Sequence, residues 1–495
     1  MAAMPSFLSR ALRGVQSCVP GHALPRLALA VLACAGLAPA AQAATALPAE
    51  ARQALQRAAI PLDGIAVVVH ELGRDRAVLQ WRADEPMNPA SVMKLPTTLA
   101  ALDRLGPAFT WVTPMWLTGP LKDGVLEGDL VIQGRGDPKL VVERLWLALR
   151  KLRQMGVREI RGDIVLDSRA FAGPDADPGD FDGERLRPYN TQSSALLLNF
   201  RSSVYSFVPD ASAGVARVTV DTPLAQTEID RSVPLAPAGT PCGDWRANLR
   251  ASFEPRRTRF AGSYAAACGE LFWPVADSQP SSYDARLLGG LWQELGGTLT
   301  GRVREGSAPA DTAPTLELRS PSLAEAVRDI NKFSNNVMSQ QLLLTLALQA
   351  APARVATPEA ARELLGAWLA ERTGVLDAAV VVDNGSGLSR RSRLSAWRLA
   401  RLLQQAADSP HFGELLASLP ISGVDGTLRR SRAPAGRAHL KTGSLREVMA
   451  VAGYVLSDSG RRYVLVAIVN HAQAGAARPA LDALTQWVVR DAPAR

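Results

Sequence analysis

The sequence predicts an α+β fold carrying a long β-rich insertion, and three observations predict it. A strand, turn and strand pattern over residues 64–82 leads into a helical stretch that ends near Leu105. From about 111 to 315, short apolar runs alternate with Gly, Pro and Asp turns, which marks one or two β-rich modules. After Pro314 the pattern turns helical, then closes in alternating strands and one last helix. The expected division is 44–110 and 316–495 as two parts of one domain, with 111–315 inserted as two β-rich subdomains.

Taken in order, residues 65–71 and 77–81 are the strands of the first hairpin, turned by Leu72-Gly73-Arg74-Asp75-Arg76. The next helix starts near Ser91, and Pro96 fits it only in the first turn or at a kink. Within the insertion, strands are expected at 164–167, 193–199, 215–220 and 296–303, and an amphipathic helix at 139–155. Gly134-Arg135-Gly136-Asp137-Pro138 reads as a turn. Ser322 with Glu325 three positions on has capping-box spacing and opens a helix to 331. Further helices follow at 337–349, 358–372 and 395–407, strands at 439–441, 449–456 and 462–470, and a closing helix at 478–490.

Residues 1–43 form a segment apart. Arg10, Arg13 and Arg26 precede the apolar run 27–37, and Ala41-Gln42-Ala43 offers a small-residue cleavage site, the pattern of a secretory signal. The run is too short to span a bilayer. Cys34 after Val31-Leu32-Ala33 offers a lipoprotein alternative, against which the leucine before Ala33 counts. Export to the periplasm is expected, with at most peripheral membrane association. Loss of three arginines lowers the net charge from +8 to +5, and the remaining basic residues are dispersed, which argues against nucleic acid as a partner. The two remaining cysteines, Cys242 and Cys268, pair as a disulfide in an oxidising compartment, or stay as two unrelated buried thiols.

The chemistry concentrates on lysines. The chain has six against 49 arginines, so arginine serves almost wherever a fixed positive charge suffices. Only lysine can give up its proton in a protein. Lys94 stands three residues after Ser91, and on the first turn of a helix the two share a face, so the amine can deprotonate the hydroxyl. Lys332 precedes the triplet Ser334-Asn335-Asn336, and Lys441-Thr442-Gly443-Ser444 opens a β-like run.

These motifs, SxxK, SxN and KTG in that order, resemble the active-site serine penicillin-recognising enzymes. The 243 residues between Ser91 and Ser334, together with Gly134-Arg135-Gly136-Asp137-Pro138, Asp383 to Arg390 and Gly423-Val424-Asp425-Gly426-Thr427-Leu428, are similar to the class C low-molecular-mass penicillin-binding proteins, the D-alanyl-D-alanine carboxypeptidases and endopeptidases of serine peptidase family S13. The resemblance implies a penicillin-binding-protein/β-lactamase-like catalytic domain, an antiparallel sheet between helices with domains inserted after the serine helix. It implies Ser91 as nucleophile, Lys94 as base, Ser334 as proton relay, Asn336 and Lys441 as substrate-holding catalytic groups, and Thr442 for the terminal carboxylate. Gly443 would let the substrate lie against the strand, and the N–H groups of Ser91 and Ser444 would form an oxyanion hole. Substrates would be peptidoglycan muropeptides, inhibitors β-lactams, and no metal or cofactor is called for.

Other chemistries fit less well. His70-Glu71 starts like a zinc-peptidase motif, but position 74 is Arg. There is no GxSxG elbow, and His439 and His471 read as surface or strand residues. Asp383 and Asp425 each sit near glycine, where turn formation accounts for them as well as chemistry does. A β-lactamase-like hydrolase is disfavoured by the insertion, and a non-catalytic envelope scaffold by the intact Ser91, Lys94 and Lys441.

Overall fold

Alternation along a few strands builds the centre of the molecule. The structure is a computed structural model that describes residues 46–173, 177–352, 354–374 and 379–491, so the signal expected over 1–43 lies outside the described residues. Ile65, Val67 and Val69 enter one apolar cluster while Ala66 and Val68 enter another, as side chains on opposite faces of a strand must. Both faces are therefore buried, at roughly 1.5–3 kcal/mol for each fully buried Val or Ile.

The sheet has five antiparallel strands in the order Ala77–Trp81, Ile65–Glu71, Arg462–Asn470, Val448–Leu456 and Ala438–Leu445. The first hairpin thus lies beside the last strand of the chain. Helices Ala49–Arg57 and Arg478–Val489 cover one face. Helices Lys94–Leu105, Leu323–Lys332, Asn336–Ala350, Pro358–Thr373 and Ala396–Ala407 contribute to the other. The expected capping box is present: the Ser322 hydroxyl accepts from the Glu325 N–H, and the Glu325 carboxylate accepts from the Ser322 N–H at 2.9 Å.

Strand Val112–Leu117 pairs antiparallel with Leu316–Arg319, so the long segment leaves and returns side by side. The same sheet continues through Leu130–Gln133, Ile164–Asp167 and Val303–Glu305. Helices Val142–Gln154 and Pro280–Glu294 pack their Leu145, Leu149, Leu287 and Leu291 into its core. A second core is aromatic. Strands Ser202–Asp210, Val215–Val220 and Leu271–Ala276 carry Phe207 and Trp273 towards Trp245, Phe260 and Tyr264, with Phe207 stacked on Tyr264 at 5.7 Å. Cys242 and Cys268 are joined by a disulfide at the margin of this core.

Two readings of the insertion are corrected. Residues 193–199 form no strand, although Leu196 and Leu198 are buried as their apolar run demands. Their backbone partners are a side chain and loops: Gln341 accepts from the Ser194 N–H at 3.0 Å and donates to its carbonyl at 2.9 Å, and the Ala195 carbonyl accepts from the Gly136 N–H at 2.8 Å. The run 296–303 is two short strands, Thr298–Leu299 and Val303–Glu305, separated by a bend.

Candidate active site

Ser91 sits on a 3-10 turn, Ala90–Met93, that runs directly into helix Lys94–Leu105, with Pro96 in the first α-helical turn. The turn places the Lys94 Nζ 3.0 Å from Ser91 Oγ. Nζ also donates to Asn336 Oδ1 and to the Ser386 carbonyl, each at 2.6 Å. Lys94 is fully buried, and burial first, then the charge of Lys441, push its amine well below the ordinary lysine value. A deprotonated amine has two N–H donors and one lone pair. With both donors committed to acceptors that cannot donate to it, the lone pair is left for the Ser91 hydroxyl.

The SxN triplet joins two helices. Ser334 lies in the left-handed region at φ 57°, and Asn335 caps the next helix by accepting from the Met338 N–H at 3.0 Å. This turn delivers Asn336 to Lys94 and the Ser334 hydroxyl to Lys441, whose Nζ is 2.8 Å away. Lys441 is also fully buried and donates to the Thr442 carbonyl at 2.7 Å. Burial brings its amine down to about 7. Ser91, Lys94, Ser334, Asn336 and Lys441 are thus linked through direct hydrogen bonds and the two short motifs that carry them.

Strand Ala438–Leu445 borders the site as an edge strand of the central sheet, its first half bonded to residues 420–422 through Leu440 N–H to the Pro420 carbonyl and Ser422 N–H to the Ala438 carbonyl. The Thr442 hydroxyl donates to Thr427 Oγ1 at 2.7 Å, and Ser444 is exposed. For Gly443 the structure gives a reason that the sequence did not. A Cβ there would lie 2.6 Å from the Pro89 carbonyl oxygen, 3.1 Å from Ala90 Cβ and 3.2 Å from Ser91 N. The missing side chain first of all lets the serine turn close against the strand.

The segment 383–390, to which the motifs assign no chemistry, packs against this turn. Gly387 has φ +75°, and a Cβ on it would lie 1.8 Å from the Ala90 carbonyl oxygen. Ser386 orients Lys94 through its carbonyl, and the Gly385 carbonyl accepts from Thr97 Oγ1 at 2.7 Å and from Ser339 Oγ at 3.1 Å. The only trace of this in the sequence is the Gly-Ser-Gly triplet. Asp383 and Asp425 are both ion-paired: Asp383 with Arg391 at 2.5 Å and Asp425 with buried Lys332 at 2.6 Å. His439 and His471 contact the Leu416 carbonyl and the Gln473 N–H.

Beyond the 383–391 loop lies a cavity of about 450 Å³ whose wall includes Asp177, Asp180, Phe181, Tyr189, Arg390 and Arg391. The Arg390 guanidinium stands 4.8 Å from the centre of the Phe181 ring, a cation–π contact.

A sequence profile of the D-Ala-D-Ala carboxypeptidase 3 (S13) family matches residues 47–490. The D-alanyl-D-alanine carboxypeptidase of Actinomadura sp. strain R39 is 30% identical over 445 residues, covering 83% of this chain and 78% of that one. The D-alanyl-D-alanine carboxypeptidase DacB of Haemophilus influenzae is 22% identical over 421 residues, 82% of this chain and 85% of the other. Among solved structures, penicillin binding protein 4 (dacB) from Haemophilus influenzae superposes with a TM-score of 0.71 at 21% identity, covering 89% of this chain and 99% of that one. The Bd0816 predatory endopeptidase from Bdellovibrio bacteriovorus shares the fold with a TM-score of 0.52 at 15% identity, over 86% of this chain and 93% of the other. A serine on a 3-10 turn and a buried lysine at the start of the helix that continues it, in a fold and a sequence that match over most of the length, place this chain in the S13 family of serine-type D-Ala-D-Ala carboxypeptidases.

Proposed function

We propose that the protein is a periplasmic DD-carboxypeptidase and DD-endopeptidase that cleaves peptidoglycan stem peptides and cross-links through an acyl-enzyme on Ser91, and that penicillins acylate the same oxygen. The observation that carries this reading is the Lys94 amine, buried, depressed in pKa and 3.0 Å from Ser91 Oγ with its two other partners both acceptors. As Ser91 attacks the carbonyl of the penultimate D-alanine, its proton passes to Lys94. The negative charge that develops on the carbonyl oxygen is held by the N–H groups of Ser91 and Ser444. Ser334, hydrogen-bonded to Lys441, passes its hydroxyl proton to the leaving amine and is resupplied with the proton held by Lys94, so the D-alanine departs and Lys94 is again a neutral amine. Asn336 Oδ1 holds Lys94, which leaves its NH₂ for a substrate carbonyl. Lys441 and Thr442 receive the terminal carboxylate. Water then attacks the ester, with Lys94 accepting a proton again and Ser91 recovering its own.

The cavity behind the 383–391 loop bears carboxylates and guanidinium groups together, which suits a part of the stem peptide that carries both charges. Export rests on the leader pattern. Endopeptidase activity is supported by a shared fold with a structure named for it. The test is incubation of the mature protein with purified monomeric and cross-linked muropeptides, following D-alanine release and cross-link loss by mass spectrometry, alongside labelling by a fluorescent penicillin. Ser91→Ala is expected to abolish both activities and the label. Labelling of that variant at the wild-type level, or of a different peptide, would overturn the assignment.

A further inference from the structure

The hydrogen bonds around Ser91 converge on a residue outside every motif. Asn88, 6% exposed, uses all of its polar groups. Its side-chain oxygen accepts from the Ala90 N–H at 2.9 Å, and its side-chain nitrogen donates to the Ser389 carbonyl at 2.8 Å. Its backbone is clasped by one side chain: the Asn88 N–H donates to Asn470 Oδ1 at 2.8 Å, and Asn470 Nδ2 donates to the Asn88 carbonyl at 2.9 Å. Asn470 is the last residue of the sheet strand Arg462–Asn470.

These contacts join the two halves of the reacting pair. Ala90 directly precedes Ser91 and is held at φ 47°, a conformation that an alanine adopts only when its surroundings impose it. Ser389 belongs to the loop whose Ser386 carbonyl fixes one N–H of Lys94. One buried amide therefore ties the turn that carries the nucleophile to the loop that orients the base, and Asn470 fastens both to the sheet. Reciprocal backbone pairing by the Asn470 side chain replaces the ladder that the short turn cannot form.

We infer that Asn88 is a positioning residue for acylation, anchored by Asn470, which keeps the Ser91 hydroxyl in line with the Lys94 lone pair. This rests on the assignment of Ser91 and Lys94 proposed above. A displacement approaching 1 Å between reacting groups costs about 10²-fold in rate, while the walls that bind the ligand are left in place. The effect should therefore fall on the acylation rate constant and leave noncovalent binding alone.

The experiment measures acylation of the mature protein by one fluorescent penicillin over a range of concentrations, which separates the dissociation constant of the encounter complex from the acylation rate constant. Asn88→Ala is expected to lower the rate constant by about 30- to 300-fold, with the dissociation constant within about threefold of wild type. Asn470→Asp keeps the acceptor for the Asn88 N–H and turns an oxygen, in place of the donor, on the Asn88 carbonyl, so with one of the two bonds kept it should lose less than Asn470→Ala, which loses both. This pair carries the test if Asn88→Ala does not fold. Folded variants with an unchanged rate constant, a loss confined to the dissociation constant, or equal losses for Asn470→Asp and Asn470→Ala would each overturn the proposal. Label retained by Ser91→Ala would instead overturn the assignment of Ser91, so the two failures are distinguishable.

Discussion

Replacing Gly443 by alanine isolates the packing of the serine turn from the chemistry of the site. Gly443 lies in the extended strand Ala438–Leu445, so alanine adds no backbone strain there, only a methyl group. That methyl would lie 2.6 Å from the Pro89 oxygen, against roughly 3.3 Å for an ordinary close C···O contact, an overlap of about 0.7 Å. The neighbour is backbone and has no rotamer to escape into, so either the serine turn or the edge strand must move by a similar amount. Overpacking of this kind costs about 1–3 kcal/mol of stability. A shift approaching 1 Å at Ser91 costs about 10²-fold in acylation. The assay is the concentration dependence of penicillin acylation, with a thermal melt to place the stability loss. Displacement of the nucleophile lowers the acylation rate constant, whereas a methyl that merely obstructed the ligand would raise the dissociation constant instead. Acylation within twofold of wild type, or a loss carried wholly by binding, would refute the packing argument.

Two other expectations follow from charge and from the insertion. In the proposed function Lys94 acts as a neutral amine with a depressed pKa, so activity should rise with pH on the acid side; Lys441 acts in its charged form with a pKa of about 7, so activity towards a substrate with a free carboxylate should fall above neutrality. Profiles of kcat/KM should be bell-shaped for a peptide ending in D-Ala-D-Ala and lack the alkaline limb for its C-terminal amide, and a shared alkaline limb would count against the Lys441 role. Removing the disulfide with Cys242→Ala and Cys268→Ala together should destabilise the aromatic core by about 3 kcal/mol by loop-closure entropy. Urea unfolding would measure that loss, and a matching loss of acylation in the folded protein would show that the insertion acts on the site.

The part of the site that could be read from the sequence is the part that depends on side-chain type at short spacing. Ser91 and Lys94 stand out because i and i+3 share a helical face and because lysine is scarce in this chain. The hairpin 65–81, the strand 462–470 and the Ser322 cap could be read for the same local reason. Groups that act through the backbone left almost no mark. Ser386 contributes a carbonyl, which any residue has, and Asn470 holds the backbone of a residue 382 positions away. Gly443 announced only that a side chain was unwelcome, and the closeness of Pro89 was needed to say why. Residues 193–199 misled because an apolar run specifies burial, whereas a strand also requires a neighbouring strand to pair with, and here Gln341 takes that place.

Three lysines near Ser91 share one physical problem and resolve it differently. Lys332, Lys94 and Lys441 are each at most 4% exposed, and an unpaired buried ammonium is costly. Lys332 has a carboxylate, Asp425, at 2.6 Å, and this pair fastens the helix before Ser334 to the loop that carries Thr427. Among the described residues Lys94 and Lys441 have no such partner: Ser91, Asn336 and the Ser386 carbonyl on one side, Ser334 and the Thr442 carbonyl on the other, are all neutral. Two ammonium groups so placed also repel each other, which lowers the pKa of Lys94 further. In the proposed function the site relieves this by releasing a proton from Lys94, which would produce the base, and by admitting an anion beside Lys441, which would be the carboxylate end of the substrate. Supplying Lys441 with a carboxylate from the protein itself would satisfy the amine and remove the reason for the ligand to bind. The acid partner therefore separates Lys332 from the two lysines to which the proposed function gives chemistry.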